Sequence, residues 1–213
     1  MIAARYSGYS IPGSEITKRG LRQLEDYACR RCHISGAEGN QLAANLDLSQ
    51  QVVSPEVLDD AIQFPVLFMP EFHFKGQQRV DLINALLFGG KKFKAPVTEA
   101  PRVVHFEGEE SSREFQFEKF CGNCHRVLTD RFGGLGEGLI GPNISGLFSP
   151  FYRANFGEEN QRWTRGNLEK WLKNPRKIRP YTQMLPVSLK AQEFDRIYTE
   201  LQHGESVVTE EKP

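Results

Sequence analysis

Two five-residue stretches decide how this chain reads: Cys29-Arg30-Arg31-Cys32-His33 and Cys121-Gly122-Asn123-Cys124-His125. They contain all four cysteines of the 213 residues, and each C-x-x-C pair is followed at once by one of the five histidines. Chance would produce both coincidences about once in 2,000 sequences of this composition, so the spacing needs a chemical cause.

Three chemistries use a C-x-x-C pair. A disulfide or a redox-active dithiol fits the spacing without needing the histidine. A zinc site pooling both pairs employs the four thiols and leaves both histidines unexplained. Covalent attachment of a c-type haem accounts for all six residues, because the thiols add to the two vinyl groups and the next imidazole becomes the proximal iron ligand. Haem is the favoured reading, with zinc and redox-active thiols as the alternatives.

On these two motifs, and on an order of elements that repeats over most of the chain, the sequence resembles the class I cytochrome c family. The resemblance implies an all-α fold of two tandem class I cytochrome c domains, each a few helices wrapped around one covalently bound haem. The first is expected over 14–94 and the second over 113–204. Residues 1–13 read as irregular and 205–213 as a tail. Pro96, Pro101, Gly108 and the acidic run Glu107, Glu109, Glu110 make 95–112 a linker.

The repeat is visible in the apolar spacing. Leu21, Leu24 and Ala28 form a helical stripe before the first motif, and Phe117, Phe120, Cys121 and Cys124 before the second, where Ser111 and Glu114 read as a capping box. After each motif a polar stretch leads to a short helix. One is capped at Ser54-Pro55 with Val57, Leu58, Ala61 and Ile62 inward; the other is capped at Asn167, carries Leu168, Trp171 and Leu172, and stops at Pro175. Closing helices carry Val80, Ile83, Leu86 and Leu87 before Gly89-Gly90, and Phe194, Ile197, Tyr198 and Leu201 before Gly204.

Apart from Met1 there are two methionines, one after each motif: Met69 in Phe68-Met69-Pro70 and Met184 in Met184-Leu185-Pro186. A thioether is a soft neutral donor that favours ferrous iron. Met69 and Met184 are therefore the expected sixth ligands opposite His33 and His125, with His73 the competitor to Met69. His105 and His203 read as surface or capping residues. Gly141-Pro142-Asn143 resembles the family turn whose proline carbonyl accepts a hydrogen bond from the proximal imidazole, which assigns that role to Pro142. Leu42-Ala43-Ala44-Asn45 has no proline, so the sequence names no partner for His33. Phe64, Phe68, Phe72 and Phe74 are expected to shield the haem at Met69.

Two covalently bound haem c groups, each with both axial positions filled, predict an electron carrier rather than an enzyme, and no catalytic set stands out. The competing reading is a catalytic dihaem protein, such as a peroxidase with one open iron. Expected partners are redox proteins, among them a membrane quinol-oxidising complex, a dehydrogenase or a terminal oxidase. Lys170, Lys173, Arg176, Lys177 and Arg179, with Lys91, Lys92 and Lys94, read as a docking charge or a solvated face. Lys+Arg and Asp+Glu balance at 27 each, which gives no support to a nucleic-acid partner. No apolar run is long enough to cross a bilayer, and no apolar segment follows Met1-Ile2-Ala3-Ala4-Arg5 as a secretion signal would require. Because haems of this family are attached outside the cytoplasm, a periplasmic or other extracytoplasmic location is expected, with the targeting segment outside this numbering.

Overall fold

The computed structural model describes residues 13–66, 68–92 and 114–202. The expectations placed on Ser111, His105, His203, Gly204, Lys94, the linker, the tail and nearly all of 1–13 lie outside them. The described part is mainly α-helical with two short antiparallel ladders. It divides into two compact units. One runs to Lys92 and includes Ser149–Ala154; the other holds the remaining described residues from Glu114 onward.

In the first unit, helix α1 (Glu15–Asp26) is capped by Ser14, whose hydroxyl accepts from the Thr17 N–H. It buries Thr17, Gly20 and Leu24 against α4 (Gly76–Lys92). Gly20 is where the helices touch, since a Cβ there would lie 1.9 Å from the Asp81 carbonyl oxygen. Beside it Arg19 Nε and Nη2 donate to both oxygens of Asp81, at 2.7 and 2.9 Å, a paired geometry that fixes the crossing as well as neutralising a buried carboxylate. Leu24, Leu58, Ile62, Phe74, Ile83 and Leu86 form the core around this crossing.

Helices α2 (Leu46–Val52) and α3 (Pro55–Gln63) complete the unit. Helix α3 buries Leu58 and Ile62 but leaves Val57 and Ala61 at the surface, narrowing the expected apolar face to one i, i+4 pair. Helix α4 does not stop at Gly89-Gly90. It continues to Lys92, and a Cβ at Gly89 would make ordinary van der Waals contact with Asp47 and Gly36, so no close approach requires glycine there.

Ser149–Ala154 lies far along the chain yet belongs to this first unit, not to the second as the sequence boundaries expected. Asn40 Nδ2 donates to Ser149 Oγ at 2.7 Å, the Arg31 guanidinium lies over the Tyr152 ring, and Arg153 donates to the Glu25 carbonyl. Ser149 and Tyr152 are buried. These polar links occupy no periodic apolar pattern, and for that reason composition did not reveal them.

In the second unit a π-helical turn, Glu118–Gly122, stands where an α-helix was expected. Glu200, buried near the end of α7 (Ala191–Leu201), accepts the N–H groups of Gln116 and Phe117 at 3.0 and 2.7 Å and so satisfies the start of that turn. Helix α5 (Arg165–Lys173) is capped by Thr164, whose hydroxyl accepts from the Asn167 N–H. Asn167 therefore sits inside the first turn instead of capping it. Leu168, Trp171 and Leu172 are buried as expected, and Pro175 opens a further turn, α6 (Pro175–Ile178).

Each motif runs into a small hairpin: β1 (Ile34–Ser35) with β2 (Glu38–Gly39), and β3 (Val127–Thr129) with β4 (Gly133–Leu135). The first turns on Gly36-Ala37, both with positive φ, the type I′ geometry that suits a two-residue loop.

The helix crossing gives a paired test. Alanine normally gains over glycine inside a helix, by up to about 1 kcal/mol. Gly20→Ala should instead lose about 1 to 3 kcal/mol in denaturant melts, because its Cβ meets backbone. Gly166→Ala, on α5 with open space around it, should lose nothing and gain up to about 0.5 kcal/mol.

Candidate metal centres

The two motifs fold into the same turn. In the first, the Cys32 and His33 N–H groups donate to the Cys29 carbonyl at 3.2 and 3.0 Å; in the second, Cys124 and His125 donate to Cys121 at 3.0 and 2.9 Å. Each turn thus carries two thiols and an imidazole on one short piece of backbone. Chain that follows laces back onto it. Leu42 and Ala43 both donate to the Cys32 carbonyl at 2.9 Å, while Glu137 and Gly138 donate to Gly122, and Gly141 to Cys124 at 2.7 Å.

Both imidazoles are held the same way. His125 Nδ1 lies 2.9 Å from the Pro142 carbonyl oxygen, and His33 Nδ1 lies 2.7 Å from that of Ala44. A carbonyl oxygen only accepts, so each Nδ1 carries the proton and each Nε2 keeps its lone pair for a metal. Ala44 is the His33 partner that the sequence could not name. The signal was the residue after it. Asn45 accepts from Asp47 at 2.9 Å and Asn143 from Ser145 at 2.8 Å, so an Asx turn aims the preceding carbonyl in both units.

Burial holds His33 below the usual imidazole range, despite the opposing pull of its Ala44 bond, and so favours the neutral ring. The Cys29 and Cys121 thiols are each pushed up to about 12, mainly by burial, with Cys32 near the first and Glu200 and Cys124 near the second adding to it. All four cysteines are unbridged. A redox-active dithiol works through an accessible thiolate of lowered pKa, and the shifts at Cys29 and Cys121 run the other way. Among the described residues no group of three or more His, Cys, Asp or Glu side chains is gathered as a metal-ion site.

The methionines differ in setting. Met184 is half-buried, and its Sδ accepts from Trp171 Nε1 at 2.9 Å. Met69 is half-buried on a turn closed by its own N–H to the Val66 carbonyl at 2.9 Å. His73 is 78% exposed, with Nδ1 3.2 Å from a Glu71 carboxylate oxygen. Of the four phenylalanines expected around Met69, Phe68 is half-buried and three have a defined setting. Phe72 and Phe74 pack against Tyr27, with centroids 5.5 and 4.5 Å away, and Phe64 is 77% exposed. The Tyr27 ring at the end of α1 offers edge-to-face contacts that bind these two phenylalanines into the core.

Exposed large apolar side chains collect beside the expected ligands. Phe64 and Val66 precede Met69, Leu139 and Ile140 precede Gly141, and Tyr181 and Leu185 flank Met184. Of the expected basic run, Lys173 pairs with Glu169 and Arg179 donates to the Asn155 carbonyl, which leaves Lys170, Arg176 and Lys177 as exposed charge. No helix of the described residues is long and apolar enough to cross a membrane.

No protein-family model matches the chain, and no solved structure gives a significant match.

Gly141 offers a direct check on imidazole placement. A Cβ there would lie 2.2 Å from His125 Cε1 and 2.5 Å from Nδ1. Gly141→Ala should break the His125–Pro142 bond and leave His33 alone, read as a change of tautomer for His125 only in long-range ¹H–¹⁵N spectra.

Proposed function

We propose that this chain is a dihaem c-type cytochrome that carries single electrons between redox proteins outside the cytoplasm. The observation that carries this reading is the shared turn, in which two thiols and a carbonyl-held imidazole occur twice with the same hydrogen-bonded geometry. Each haem, when bound, supplies a reversible one-electron iron couple.

The chain's own part begins with Cys29 and Cys32, and Cys121 and Cys124, which would hold the two groups as thioethers. His33 and His125 would present Nε2, kept in the right tautomer by Ala44 and Pro142. Met69 and Met184 would each supply a thioether sulfur as the further ligand; the exposed, carboxylate-paired His73 is the weaker candidate. Phe64, Val66, Leu139, Ile140, Tyr181 and Leu185 give an apolar macrocycle something to cover, which explains why large hydrophobic side chains lie at the surface there. One electron enters from a reduced donor and one leaves to an oxidised acceptor, with no bond to substrate made or broken. Lys170, Arg176 and Lys177 would steer an acidic partner, an attraction that salt weakens.

Denaturing mass spectrometry should give the polypeptide plus two haems; free thiols, or zinc instead of iron, would refute the reading. Met69→Ala and Met184→Ala should each abolish one ferric sulfur-to-iron band. His73→Ala should leave both, and if it alone alters the spectrum then His73 is the ligand in the first unit.

The cysteines add a pH test. Folded thiols titrating near 12, against about 8.5 in an unfolded chain, hold their protons more tightly when folded. Stability of a chain with free thiols is therefore full below about pH 8.5 and falls as pH rises toward 12. Thioethers do not titrate, so the haem-loaded protein should lack this contribution in melts across that range. An identical slope in chains with and without haem would count against thioether attachment.

A further inference from the structure

Trp171 spends its only hydrogen-bond donor on a sulfur. The indole Nε1–H points at Met184 Sδ, 2.9 Å away, although backbone carbonyls are the commoner partners of a buried indole. The ring cannot readily turn elsewhere. It is buried on α5, meets Trp163 edge-to-face at 5.6 Å and 78°, and lies under the Arg179 guanidinium at 5.4 Å. Trp163 is itself set edge-to-face against Phe156 at 5.4 Å, and Arg179 is tied to the Asn155 carbonyl. The donor is therefore rigid, while its acceptor is the most adaptable of apolar side chains, with three rotatable bonds.

We propose that Trp171 is the positioning residue for Met184, fixing the thioether by occupying one sulfur lone pair so that the other is presented to the haem iron. This rests on the reading of Met184 as sixth ligand. A thioether sulfur has two lone pairs, and an N–H donor on one of them selects which remains for a metal and in which direction. The backbone is fixed too, through the Met184 N–H to Thr182 Oγ1 at 3.3 Å and Pro186 two residues on. The first unit gives Met69 no corresponding tryptophan, because both tryptophans of the chain, Trp163 and Trp171, lie in the second.

The test uses the full-length, haem-loaded protein and the variants Trp171→Phe, Met184→Ala and Trp163→Phe. Trp171→Phe keeps an aromatic ring and removes the donor. It should shift the sulfur-to-iron band of one haem, lower that haem's potential, and raise the affinity of the ferric site for added imidazole about tenfold, the scale on which outer partners act on metal ligands. Trp163→Phe alters the same aromatic packing without touching the sulfur donor and should leave band and potential in place. If Met184→Ala removes a band while Trp171→Phe leaves band, potential and imidazole affinity unchanged, the positioning role is wrong and the ligand assignment stands. If Met184→Ala removes no band, the ligand assignment fails and takes this role with it. Should Trp171→Phe not fold, hydrogen exchange of the Trp171 indole N–H decides instead. Slow exchange in the parent protein that becomes fast in Met184→Ala supports the bond, and equal rates in the two overturn it.

Discussion

A histidine offers a metal only one nitrogen at a time, and which one it offers is set by what the other nitrogen is doing. In this protein the Nδ1–H of His33 is bound to Ala44 and that of His125 to Pro142, and much of the local structure exists to put those two carbonyls in place. The loop after each motif folds back onto the motif's own backbone, and an asparagine then turns the chain so that the preceding carbonyl faces the ring. In the second unit the approach is so close that only glycine fits at 138 and 141. The glycine requirement, the Asx turns and the lacing hydrogen bonds all follow from placing a main-chain oxygen under 3 Å from an imidazole nitrogen.

Around that shared turn the two units are built differently. The first relies on a helix crossing at Gly20, closed by the Arg19–Asp81 pair, with the burial of Leu24, Ile83 and Leu86 on either side. The second uses a buried carboxylate, Glu200, to satisfy the start of a π turn, and an aromatic series from Phe156 through Trp163 to Trp171. The two imidazoles are held alike although only one has a proline behind it. Any main-chain carbonyl can accept, and Ala44 does so as well as Pro142. The difference between the units lies instead at the methionines, one held by an indole N–H and one on a short turn.

How much of this could be read from the sequence depends on whether the information is local. Leu24, the buried stripe of α5 and the apolar face of α7 were legible, because period acts within a few residues; Ala28, read into the same stripe as Leu24, instead lies beyond the end of α1 with positive φ, where the period no longer applies. The hairpin after the first motif was not legible, since a Gly-Ala turn lacks the asparagine or aspartate that usually marks type I′. Trp171 was read as core and Met184 as ligand from separate patterns, yet nothing in a linear spacing of 13 residues says that a nitrogen meets a sulfur. Ala44 was passed over because alanine has no side chain to signal with; its role belongs entirely to the backbone.

The polar strap Ser149–Ala154 has a consequence in time. A chain that emerges from its N-terminus first would ordinarily let its leading unit close before the next is made. Here the partners of Asn40 and Arg31 are encoded about 60 residues beyond the end of α4, so at ordinary elongation rates the leading unit waits roughly 3 to 12 s for its last piece. Throughout that interval Asn40 and Arg31, on either side of the first cysteine-pair turn's end, are without their partners in the strap.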